Sequence, residues 1–115
     1  MSIKIIKNPI SKSELADIAK EEFGDLVKAV VDIEQEIMAV GGELHADEEV
    51  LLTENEGSKR ENTWDINIYP KKSEGEWIEF DSMINLKPIF GNRSRGVEND
   101  AIREKIKKIV EKLII

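Results

Sequence analysis

Apolar positions in this chain fall into short periodic runs separated by polar punctuation. Ile3 to Lys7 is short and β-branched and reads as a first strand. Pro9 ends it, because proline cannot donate to a ladder. Ser11-Lys-Ser-Glu14 follows as a capping box, in which the Ser11 hydroxyl and the Glu14 carboxylate satisfy orphan amides reciprocally. A helix is predicted there, with Leu15, Ile18, Ala19 and Phe23 inward and Gly24 at its C-cap. Asp25 is placed to cap a second helix over residues 25–40. Leu26, Val30, Ile33, Ile37 and Val40 recur at spacings of four, three, four and three, with Val27, Val31 and Met38 widening the stripe and Gly41-Gly42 stopping it. The rival reading makes Val27 to Ile33 a strand, since β-branched residues favour strands. The helix is preferred because the stripe stays in phase for some four turns.

Three strand-like segments come next: Leu44 to Thr53, Trp64 to Tyr69, and Trp77 to Leu86. The turn at 54–58 carries Asn55 and Gly57, and a polar turn at 71–76 carries Gly75, so an antiparallel meander is expected. Residues 87–98 read as a loop. Asn99 caps a last helix, where Ile102, Ile106, Ile109 and Leu113 repeat at four, three and four. The predicted order β-α-α-β-β-β-α gives an α+β two-layer sandwich. Alternation puts even-numbered residues from Leu44 to Leu86, among them Trp64, Ile66 and Ile68, under the helices. The opposite, acidic face would carry His45, Asp47, Glu49, Asp65, Asn67, Glu79, Asp81 and Asn85, with Leu51, Trp77 and Met83 among them.

Composition narrows the function. At 115 residues and 13.1 kDa, residues 1–115 form one expected domain. Hydrophobic residues make up 40% and charged residues 36%, so a core rather than disorder is expected. A net charge of -7 argues against nucleic acid as a partner, because such binding neutralises phosphates. With no cysteine, disulfide scaffolds, thiol catalysis and cysteine zinc sites are excluded. No apolar run approaches the roughly 20 residues of a membrane span, and MSIKIIKNP lacks a signal-peptide core. A cytoplasmic protein without membrane partners is expected.

The strings GGELHADEEVLL (Gly41 to Leu52), WDINIYP (Trp64 to Pro70), INLKP (Ile84 to Pro88) and GNRS (Gly91 to Ser94) resemble a family of short prokaryotic proteins known only as a domain of unknown function. The resemblance covers nearly the whole chain and implies no activity. It marks His45, Asp47, Trp64, Asn67, Tyr69, Asn85, Asn92, Arg93 and Ser94 as places of interest. The expected element order is also similar to that of small ribosome-dependent messenger-cleaving toxins, although those are basic and this chain is acidic.

On a strand, His45 and Asp47 would share a face about 7 Å apart. That arrangement suits acid–base work, or a divalent metal with Glu49, Asp65 and Asp81, but the acids have no diagnostic spacing and a solvated sheet face is the simpler expectation. Gly91-Asn-Arg-Ser-Arg-Gly96 is locally basic and glycine-bounded. Arg93 and Arg95 there either clasp an anion or fold back onto the acidic face and pin the loop. The expected function is an interaction or ligand-binding module whose site joins His45 and Asp47 to Asn85, Asn92, Arg93, Ser94 and Arg95. A small enzyme on an anionic substrate, using His45 and Asp47 with Arg93 or Arg95, is the alternative, and a toxin-like nuclease or toxin–antitoxin partner is a third. No cofactor and no metal is implied. Partners would be an unknown protein, a small anionic ligand, or a second copy through Trp77, Leu51 and Met83 as a weak homodimer.

Overall fold

A computed structural model describes residues 3–115. Its elements are β1 (Lys4–Ile6), α1 (Lys12–Glu22), β2 (Val27–Asp32), β3 (Ile37–Val40), α2 (His45–Glu56), β4 (Thr63–Ile68), β5 (Ile78–Glu79) and α3 (Asp100–Leu113). The fold is α+β. Its antiparallel sheet has five strands in the order β1-β3-β2-β4-β5.

The N-cap and C-cap residues act as read, and half of the capping box forms. The Ser11 hydroxyl accepts from the Glu14 amide at 3.0 Å, and the Asn99 side chain accepts from the Ile102 amide at 3.1 Å. Gly24, at φ 91°, donates to the Ala19 carbonyl and closes α1. Glu14 itself pairs with Lys4 rather than completing the box.

Two elements are exchanged in kind. Residues 25–40 are not helical; they form the β2–β3 hairpin, as the rival strand reading had it. Asp32 builds its turn, with Oδ1 accepting from the Glu34 and Gln35 amides at 2.9 and 3.1 Å. Both strands are buried on both faces, so their apolar run never alternates and can be fitted to a helical stripe. Conversely, Leu44 to Thr53 is not a strand but most of α2. The third expected strand survives only as β5, followed by short turns at Met83–Asn85 and Pro88–Phe90.

The connections explain the layering. β1 and β2 run parallel on either side of β3 and are joined by α1; β3 and β4 run parallel on either side of β2 and are joined by α2. Both crossovers step the same way across the sheet, from strands that point in opposite directions. Crossovers of the same hand therefore place their helices on opposite faces. Leu15, Ala19 and the α3 residues Ile106, Ile109, Val110 and Leu113 cover the face of Ala29, Val31, Trp64, Ile66 and Ile68. Leu52 of α2 covers the other face, at Val30, Ile37 and Ala39. The single helical layer expected from sequence is thus two, with the sheet between them. Trp77 lies in the first core at 1% exposure, not on an open face, so the surface expected to form a homodimer is not assembled as read.

Candidate functional site

α2 buries a polar face. His45, Glu48, Glu49 and Leu52 occupy helical positions i, i+3, i+4 and i+7, and all four are buried against the sheet. Below them, β4 presents its odd-numbered residues Thr63, Asp65 and Asn67, while its even-numbered Trp64, Ile66 and Ile68 enter the opposite core.

Each polar group in this layer has a definite contact. The Glu48 Oε2 accepts from the Gly42 amide at 2.9 Å. Glu49 accepts from the Thr63 hydroxyl at 2.6 Å and faces Arg60 at 3.5 Å. His45 Nε2 lies 2.9 Å from the Ile66 carbonyl, so that nitrogen carries the proton and donates. The Asn67 amide donates to Glu79 at 2.8 Å and to the Asp81 carbonyl at 3.3 Å. Yet Glu48 Oε1, Asp65 Oδ1 and Asn67 Oδ1 are buried without a hydrogen-bond partner.

Burial governs protonation here. Desolvation pushes the Glu48 carboxyl up to about 10, reinforced by Asp65, so it is protonated at neutral pH. Asp65 is raised to about 7, by desolvation first and by the nearby Glu49 charge second. Desolvation lowers His45 below the ordinary 6.5, against the Ile66 carbonyl bond and the Asn67 side chain, which favour its charged form. At neutral pH the imidazole is therefore uncharged.

The loop over residues 80–98 is anchored to this layer by two side chains and braced within itself by a third. Asn85 pairs with the Asp65 backbone as a strand would, accepting from its amide and donating to its carbonyl, each at 2.9 Å. The Lys87 ammonium is buried over the Trp64 ring at 4.6 Å and donates to the Arg60 and Thr63 carbonyls. Asn92 donates to the carbonyls of Asn85 and Gly96 at 2.7 Å and accepts from the Glu98 amide at 2.9 Å.

Where α2 begins, this loop and β2 enclose a cleft of about 340 Å³ lined by Lys28, Leu44, His45, Ala46, Asn67, Asp81, Ser82, Met83, Ile84 and Arg95. Lys28 donates to the Glu43 carbonyl at 2.9 Å and stands over the Phe23 ring at 4.9 Å. Arg95 reaches Asp81 at 2.6 Å. A larger hollow of about 500 Å³ lies at the β2–β3 turn, but it is lined by Asp32, Glu34, Glu56 and Glu61. The Asp32 carboxylate there is already spent on Glu34, Gln35 and Ser58. The smaller cleft joins cations to apolar walls, a combination suited to a small organic ligand.

Of the residues singled out from sequence, His45 and Arg95 meet in this cleft. Asp47 does not join them: on a helix rather than a strand, it turns outward into a separate hollow beside Gly41, Gly42 and Glu43. Asn85 and Asn92 are buried loop anchors. Arg93 and Ser94 are exposed outside the cleft; the Arg93 amide donates to Glu98 at 2.9 Å and the Ser94 carbonyl accepts from Asn92. Lys28 and Glu48 were not read as site residues. The signal for Glu48 was the polar i, i+3, i+4 spacing of HADEE; for Lys28, in a β-branched run, there was none. Among the described residues no group of three or more His, Asp or Glu is placed to hold a metal, and no helix is long and apolar enough to cross a membrane.

The class to which this architecture belongs is shown by a family model that matches residues 4–113. The chain belongs to the family described as Protein of unknown function (DUF5674). No curated protein and no solved structure matches it significantly.

Proposed function

We propose that the protein is a ligand-binding module whose cleft takes a small organic anion with an apolar body. The observation that carries this reading is the convergence of Lys28, His45 and Arg95, from three segments far apart in sequence, on one cleft walled by Leu44, Ala46, Met83 and Ile84. With His45 neutral, Lys28 and Arg95 against Asp81 leave the cleft with one net positive charge, in a chain of net charge -7. A carboxylate head set between Lys28 and Arg95 satisfies both cations, and its hydrocarbon part lies against Met83 and Leu44, which are otherwise 60% and 56% exposed. The enzymatic alternative keeps Arg95 beside His45 but loses Asp47, which faces a separate hollow.

Isothermal titration with acetate, butyrate, hexanoate, octanoate, benzoate and inorganic phosphate tests the reading. Affinity is expected to rise with the apolar body from acetate to octanoate and to fall roughly tenfold in Lys28→Gln and in Arg95→Gln, the loss of one charge-assisted contact. Absence of saturable binding by every probe, or binding indifferent to both substitutions, refutes it.

A further inference from the structure

We propose that the cleft binds its anion together with a proton, taken up by His45, whose Nδ1–H then donates to Asn67 Oδ1. This deepens the ligand-binding reading and rests on it.

The geometry supplies both halves of the device. His45 Nε2–H is fixed on the Ile66 carbonyl at 2.9 Å, so the second nitrogen, Nδ1, is the one left to gain a proton. Asn67 is nine-tenths buried and lines the same cleft as His45, and its side chain favours the charged imidazole. Its amide nitrogen is fully used on Glu79 and the Asp81 carbonyl, which fixes the orientation of the group and leaves Oδ1 buried with no partner. An unpaired buried acceptor is costly, and protonation of His45 is the change that supplies the missing donor.

Charges around the imidazole explain why the proton waits for the anion. Lys28 on β2 disfavours the imidazolium and Asp81 on the loop favours it, while desolvation is the largest opposing effect. Arg95 shares the cleft but is paired with Asp81, and Glu79 of β5 acts through Asn67. On its own helix, Glu48 and Glu49 are turned to Gly42 and Thr63, and the helix N-terminus, where His45 sits, adds positive potential. An anion between Lys28 and Arg95 cancels the local positive field, and the imidazolium becomes easier to form. By linkage, a ligand that raises proton affinity is itself bound more tightly when the proton is present.

His45 is the 1 histidine in the chain, so its ring signals in NMR are unambiguous without any variant. The experiment titrates pH with and without saturating hexanoate, and pairs this with calorimetry in buffers of different ionisation enthalpy. In the free protein, ¹⁵N shifts are expected to show the Nε2–H tautomer and a titration below the ordinary histidine range. With hexanoate, the midpoint rises by about one unit, a fraction of a proton is taken up at neutral pH, and affinity gains up to about tenfold as pH is lowered from about 8 to about 6. A slowly exchanging Nδ1 proton in the bound state identifies the Asn67 bond, and Asn67→Ser loses it. Saturable binding with an unchanged His45 midpoint, or a raised midpoint without the protected Nδ1 proton, overturns the inference while leaving the ligand-binding reading in place. Failure of hexanoate to bind overturns both.

Discussion

Glu48 sets the pH dependence of stability, and the expected sign is opposite to ordinary acid denaturation. Its folded pKa, about 10, lies above the 4.5 of the unfolded chain. In the window between those values the folded protein keeps a proton that the unfolded chain releases. Stability from this group is therefore complete below about pH 4.5 and is lost as pH rises toward about 10. Asp65, raised from 3.8 to about 7, adds a loss of the same sign in the lower part of the window. One proton corresponds to about 1.4 kcal/mol per pH unit, so Glu48 alone gives at most about 2.7 kcal/mol between about pH 6 and pH 8. Local relaxation and water entry reduce this to about 1–2 kcal/mol, still a sizeable share of a typical 5–15 kcal/mol. Neutralising the surface of an acidic chain also favours low pH, so the diagnostic comparison is with Glu48→Gln. Glutamine keeps an oxygen for the Gly42 amide and cannot ionise; whatever it costs is independent of pH. Urea denaturation across this range should give a wild-type midpoint that falls with pH and a flatter line for the variant. Parallel lines would refute the assignment of a buried, protonated Glu48.

Three further outcomes follow from single contacts. Gly42→Ala should destabilise by about 1–3 kcal/mol in chemical denaturation, because its new Cβ would meet the Glu48 Cγ at 2.9 Å. Asn85→Ala should cost about 2–4 kcal/mol and open residues 80–98 to limited proteolysis, since it strips the Asp65 amide and carbonyl of their buried partners. Arg93→Ala should shift stability by no more than about 0.5 kcal/mol and leave hexanoate binding unchanged, because its exposed guanidinium lies outside the cleft.

Terminal signals were legible in the sequence because they are local. Ser11, Gly24 and Asn99 act through bonds spanning a few residues, and the α3 stripe is amphipathic in the ordinary sense, with Ile106, Ile109 and Leu113 inward. The parity of Trp64, Ile66 and Ile68 was also legible, since one face of β4 meets an apolar core. What failed was the assumption that buried faces are apolar and that strands alternate. β2 and β3 are covered by helices on both sides, so β3 and the Ala29–Val31 centre of β2 are apolar on both parities. α2 buries His45, Glu48 and Glu49 while exposing Val50 and its N-cap residue Leu44, which inverts the usual amphipathic signal and imitates a polar-faced strand.

That inversion and the candidate site coincide, and the coincidence has a physical reading. Leu52 shows that an apolar side chain fits under α2, in a small core with Val30, Ile37 and Ala39. One and two turns toward the cleft, the same helix face carries Glu48, Glu49 and His45 instead, with unpaired oxygens on Glu48, Asp65 and Asn67. A helix selected for stability alone would continue the apolar face, because each unsatisfied buried acceptor costs about 1–3 kcal/mol. The polar layer also ties the loop down: Asp65 receives Asn85, Glu49 orients Thr63, and Thr63 receives Lys87. Through those anchors the layer fixes the segment that brings Asp81, Ser82, Met83 and Arg95 to the cleft. Stability is lowered along α2 where that loss holds a long, irregular loop against His45, and local pattern rules fail at the same residues, as they do where a fold gives up stability to build a site.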